Sequence, residues 1–232
     1  MELNCWVAMT AGEFSTLQTP PQKAGWLSCH FSAYDSGLSN LPRSLPPKSL
    51  LFLDDSTPPS GYDPEKILHQ LEMTANELDV AAVVLDFQVS GIPETRAITD
   101  YLVNKLSCPV CVAAPYAEGL SCPVLAPCPA AHVPLDVHLV PWKGRKIWLE
   151  LTLDAEQITV TENSSSVSPL PFFQPGDDFH TDEKLCCRYQ VKVFEDRAEF
   201  TLVRDQKMLG MLLQKARTTN VVNGIGLYQQ LK

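Results

Sequence analysis

Acidic, amide and aromatic residues stand just after short apolar runs along this chain, and their types could do chemistry. Asp54 and Asp55 follow LLFL (50–53), and Asp86 and Gln88 close AAVVLDFQ (81–88). Thr10 and Glu13 follow NCWVAM; Ser32, Tyr34 and Asp35 follow WLSCHF; Tyr116 and Glu118 follow PVCVA. Arg204 and Asp205 follow the run Ala198–Val203, and Tyr228 and Gln229 end VVNGIGLYQ. Two close carboxylates push each other's pKa values apart, which acid–base work requires. Asp86 with Asp54 or Asp55 is therefore the candidate catalytic pair. On a strand, neighbouring side chains face opposite ways, so only one of Asp54 and Asp55 can readily join Asp86. Gln88, Tyr34, Tyr116, Glu118, Arg204, Tyr228 and Gln229 are candidate ligand contacts. Carboxylates, an amide and a guanidinium fix hydroxyls, and aromatic faces pack on sugar rings, so a small polar ligand, a carbohydrate in particular, suits this set. The plainer use of such residues is structural: a carboxylate at a strand end caps the next helix or forms an ion pair, and Asp205 reads as a cap.

The elements that must position these residues follow from hydrophobic spacing. Asn4–Met9, Trp26–Phe31, Leu50–Leu53, Val80–Phe87, Pro109–Ala113 and Pro123–Ala126 read as strands, several of them continuous apolar runs of the kind buried on both faces. STPPSGY (56–62) reads as a turn-rich loop. Asp63 before Pro64 marks a helix start, and Ile67, Leu68, Leu71, Ala75 and Leu78 follow at helical spacing. Pro93 opens a second helix, with Ile98 and Leu102 inward. Strands alternating with helices at intervals of roughly 30 residues are βαβ units, whose strands are parallel. Further on, Ile147–Leu153 and Gln157–Thr161 alternate as a hairpin expects, as do Leu185–Phe194 and Ala198–Val203. Asn163–Asp178 reads as flexible. A last helix carries Met208, Leu209, Leu212 and Leu213, before a closing strand at Val221–Gln229. About eight strands fit one parallel sheet, the number of a (β/α)8 barrel. The expected fold class is α/β: an abbreviated or distorted TIM-like barrel with missing helices. An antiparallel β-rich insertion at about 144–194 sits within one domain spanning 1–232. An open doubly wound sheet is the alternative. The aromatics of the insertion, Trp142, Trp148, Phe172, Phe173 and Phe179, would cover a bare flank of the barrel or form a homodimer contact.

Composition narrows the function classes. The 232 residues carry 45% hydrophobic and 19% charged residues, an ordinary globular balance. A net charge of −9 argues against nucleic acid and against an anionic membrane surface as partners. No apolar run reaches the ~20 residues of a membrane span. The N-terminal MELNCWVAMTAGEF lacks a signal peptide's pattern, so a cytoplasmic location is expected. Most of the eight cysteines lie in apolar runs and are expected as core thiols. Cys108, Cys111, Cys122 and Cys128 are spaced poorly for zinc. No dinucleotide, P-loop or nucleophile-elbow pattern occurs, so no cofactor or metal is expected.

The LDFQ tip of AAVVLDFQ resembles the fourth strand of the chitinase-type (family 18) glycoside hydrolases, which carry D-x-x-D-x-D-x-E there with the last Glu as general acid. The signature falls on Ala81, Val84, Asp86 and Gln88, and Asp86 alone matches. GIGLY (224–228) is similar to that family's last strand, with Tyr228 where the family has Trp. The resemblance implies a TIM barrel with its site at the strand ends. A glutamine cannot donate the proton that glycoside hydrolysis needs, so the family's usual activity is not expected. Three functions stay open: a barrel binding carbohydrate without the standard acid, a hydrolase using Asp86 with Asp54 or Asp55, and an interaction protein with a vestigial site.

Overall fold

A computed structural model describes residues 4–57 and 61–231; Pro58–Ser60 of the expected STPPSGY loop lie outside the described residues. In chain order the elements are β1 (Asn4–Met9), α1 (Ala11–Thr16), β2 (Ala24–Phe31), β3 (Leu38–Ser39) and β4 (Leu50–Asp54). Then come α2 (Pro64–Glu77), β5 (Ala82–Asp86), α3 (Pro93–Lys105), β6 (Val110–Ala113), β7 (Val124–Ala126) and α4 (Leu135–His138). The remainder are β8 (Ile147–Leu151), β9 (Asp154–Thr161), β10 (Ser165–Pro169), β11 (His180–Asp182), β12 (Cys187–Val193), β13 (Arg197–Arg204), α5 (Gln206–Ala216), β14 (Val221–Leu227) and α6 (Tyr228–Leu231).

Strands β1, β2, β4, β5, β6, β7, β8 and β14 pair in parallel in that circular order, and the β1–β2 pairing closes the ring. This is a closed TIM-like barrel, so the open-sheet alternative falls. The two-residue β3 adds antiparallel to the edge of β2. The two long crossover helices of the barrel's central half both begin at a proline, Pro64 in α2 and Pro93 in α3. Asp63 accepts from the backbone N–H groups of Glu65 (3.0 Å) and Lys66 (3.3 Å) at the start of α2. Ile67 and Leu71 of α2, with Ile98 and Leu102 of α3, are wholly buried against the outer face of the barrel. Elsewhere α1 has six residues and α4 four, so the barrel is abbreviated as expected.

The expected hairpin of Ile147–Leu153 with Gln157–Thr161 does not form. β8 lies between β7 and β14 as the barrel's seventh strand, while β9 belongs to a separate five-stranded antiparallel sheet ordered β10-β9-β13-β12-β11. The period-two alternation of IWLELTL has a different cause from the one expected. Trp148 packs in the barrel interior, and Ile147, Leu149 and Leu151 pack outward with Leu209 and Leu212 of α5. The stretch expected to be flexible contributes β10, which pairs antiparallel with β9. The expected pair Leu185–Phe194 with Ala198–Val203 forms as β12 and β13. The antiparallel sheet thus spans 154–204, and Ala131, Cys187 and Leu202 pack it onto the loop after β7.

Candidate functional site

Layers inside the barrel lead directly to its mouth. Trp6 and Trp148 stack with ring centroids 5.9 Å apart and planes within 7°. Above and around them lie Leu50 and Phe52 of β4, Ala82 and Val84 of β5, Cys111 and Ala113 of β6, Leu125 of β7 and Ile225 of β14. Alternation along each strand then places Asp54 after Phe52, Asp86 after Val84 and Glu150 after Trp148 on the inward side. These three carboxylates stand at the C-terminal ends of the strands, where barrel folds put their sites. A cavity of about 310 Å³ opens there, lined by Asp86, Gln88, Glu150, Thr152, Phe52 and Leu227 among others.

The carboxylates differ in what holds them. Asp54 and Asp86 are in-register partners on adjacent strands. Asp54 accepts from the Ser56 N–H (2.8 Å) and Asp55 from the Val89 N–H (2.9 Å). Asp86 accepts from the side-chain amide of Gln88. Burial pushes the Asp86 carboxyl above the usual range; the Gln88 hydrogen bond opposes this, and the charges of Asp54 and Asp55 add to it. Burial, aided by the Asp86 charge, pushes Glu150 up to about 7. Among the described residues Glu150 makes no hydrogen bond or ion pair. Glu150 escaped the sequence analysis because its strand was assigned to a hairpin. The signal was a lone acid inside the apolar run IWLEL.

The other sequence candidates lie as follows. Tyr116 is buried; its hydroxyl donates to the Val89 carbonyl (2.5 Å) and accepts from the Ile92 N–H (3.2 Å). With Asp55 on the Val89 N–H, Tyr116 clamps the loop that presents Gln88. Glu118 is exposed, and its carbonyl accepts from Arg96 (3.1 Å). Tyr34 is 99% exposed. Tyr228 lies in a side crevice with Val7, Leu17 and Leu231, and Gln229 is exposed.

Arg204 does not follow a barrel strand. It ends β13 and is fully buried, donating to the carbonyls of Cys186 (3.2 Å), Leu185 (3.2 Å), Ala130 (3.3 Å) and Pro129. Asp205 caps α5 through the Met208 N–H (2.9 Å). Thr10 and Glu13 form a reciprocal cap on α1. Ser32 accepts from the Tyr34 and Asp35 N–H groups, and Asp35 pairs with Lys66 (3.2 Å). Cys111 faces the barrel interior, and burial pushes its thiol up. Among the described residues no three His, Cys, Asp or Glu side chains gather as metal ligands, and no helix is long and apolar enough to cross a membrane.

The closed eight-stranded parallel barrel with its added antiparallel sheet defines an α/β, TIM-like fold. No protein-family model and no curated protein matches the chain. Solved structures do. A double mutant of the family 18 chitinase of Cycas revoluta in complex with (GlcNAc)4 superposes with a TM-score of 0.56 at 12% identity, over 97% of this chain and 94% of that one. The same chitinase in complex with allosamidin gives 0.56 at 11% identity, over the same shares. The spore cortex-lytic enzyme SleL of Bacillus megaterium QM B1551 gives 0.53 at 11% identity, over 98% of this chain and 70% of that one. The chain therefore has the fold of the family 18 chitinases.

Proposed function

We propose that the protein binds a saccharide in the mouth of its barrel without the strand-four acid of the chitinase-type hydrolases. The observation that carries this is the pair Asp86 and Gln88 in the mouth cavity: the amide of Gln88, at the position where the resemblance places a proton donor, is spent on the Asp86 carboxylate. An amide and a carboxylate held together offer both donor and acceptor to sugar hydroxyls. Phe52 and Leu227 supply the apolar wall that a ring face needs. Structures of this fold that hold (GlcNAc)3 or (GlcNAc)4 make chito-oligosaccharides the first ligands to try. Asp54 or Asp55 as the catalytic partner of Asp86 is weaker, because both carboxylates already accept backbone N–H groups. A cytoplasmic setting fits the eight free cysteines, which stay thiols under reducing conditions.

Calorimetric titration with chitotriose and with an unrelated trisaccharide tests this. Saturable heat that vanishes in Asp86→Ala, with the variant's melting temperature retained, is the expected result. No heat with either sugar would remove the reading.

A further inference from the structure

Building on the saccharide site, we propose that Glu150 is the general acid of a glycoside-hydrolysing centre in this mouth, with Asp86 as the carboxylate that takes the proton of the attacking water. The two side chains come from the seventh and fourth barrel strands and line one cavity. Strand alternation fixes Glu150 inward, since Leu149 and Leu151 on either side of it pack outward. A structural role leaves Glu150 unexplained. It caps no helix, pairs with no cation among the described residues, and no lysine, arginine or histidine lines the cavity. A half-buried carboxyl without a partner is costly to a fold and is retained where it acts on something else.

The chemistry balances. The Glu150 carboxyl gives its proton to the glycosidic oxygen as the C–O bond breaks, and the leaving sugar departs as an alcohol. A water oxygen bonds to the anomeric carbon, and its proton passes to Asp86. Solvent then returns a proton to Glu150 and takes one from Asp86, so one water is consumed per bond. Glu150 must be protonated and Asp86 ionised together. Burial and the Asp86 charge hold Glu150 near pH 7, while the Gln88 amide counters the rise at Asp86. The charged neighbours of this pair are Asp54 and Asp55 beside Asp86; beside Glu150, β14 presents its register partner Ile225, and the nearest β7 residue, Ala126, pairs with Leu149 and packs outward. A cavity of about 310 Å³ is at the small end for ligand sites, so the sugar ring at the cleaved bond is what it takes.

The test pairs binding with turnover on the full-length protein. Chitotriose binding is measured by calorimetry, and hydrolysis by reducing-end release and with two aryl N-acetylglucosaminides, one with a poor leaving group and one with dinitrophenolate. The wild type is expected to hydrolyse, with kcat/KM falling as pH rises through about 7. Glu150→Gln is expected to keep chitotriose binding, to lose about 100- to 10,000-fold in kcat on the poor leaving group, and to lose that alkaline limb. It should keep most of the rate on the dinitrophenyl glycoside, whose departure needs no proton. Binding without hydrolysis by the wild type, or full activity in Glu150→Gln, overturns the proposal and leaves the saccharide site standing. No binding at all overturns both.

Discussion

Glu150 and Asp86 reach one cavity from separate barrel strands, and among the described residues neither meets a cation there. Burial raises the cost of ionising both carboxyls, and the Asp86 charge raises it further at Glu150.

That relationship predicts how stability depends on pH. The Glu150 carboxyl stands at about 7 in the folded chain against an ordinary 4.5. Its folded pKa is raised, so its favourable contribution is complete below about 4.5 and is lost as pH rises through about 7. Glu150→Gln should therefore be more stable than wild type at pH 8, by roughly 1–3 kcal/mol, and should match it near pH 4. Urea midpoints across this range measure the difference. A constant offset at every pH would count against the assignment.

Arg204 is the bolt between the barrel and the antiparallel sheet. Its guanidinium serves carbonyls of the β7 loop (Pro129, Ala130) and of the segment before β12 (Leu185, Cys186) at once. Arg204→Met fills the space but strands those carbonyls, at a cost of about 3 kcal/mol. Arg204→Lys should recover little, because an ammonium lacks the planar fork. Guanidinium unfolding gives the magnitude. Amide exchange should speed up most in β12 and β13, and uniform acceleration along the barrel would contradict this role.

Gly25 leaves room for Phe52. A Cβ at position 25 would lie 2.7 Å from the edge of the Phe52 ring and 3.6 Å from the Ala8 backbone. Gly25→Ala should cost about 1–3 kcal/mol by overpacking. Combining it with Phe52→Leu should cost less than the two changes added together, since the same atoms are relieved. Thermal melts of the three variants decide it; strict additivity would be the wrong outcome.

The central half of the barrel was legible because local signals and tertiary demands agree there. Asp63 and Pro64 start α2, Pro93 starts α3, and the apolar runs around them are buried on both faces. The strand-end positions of Asp54 and Asp86 were legible for the same reason. β8 was illegible because a strand with a polar tip inside a barrel and a strand with one face in water share the same two-residue period. That ambiguity hid Glu150 and moved Arg204 to the mouth on paper. Tyr116 misled for another reason: an aromatic after a barrel strand can turn its hydroxyl to the backbone as readily as to a ligand.

Closure of the barrel by β14 against β1 has a kinetic consequence. Asn4 meets Asn223, so the ring joins the two ends of the described chain, and that contact must wait until nearly all of it has been synthesised. The β9, β12 and β13 strands pair nearer in sequence and can form first, whereas Trp6 has no Trp148 to stack on until the ring nears completion. Until that closure β1 lacks its β14 partner, and an unpaired strand edge of this kind is where a folding intermediate is open to aggregation.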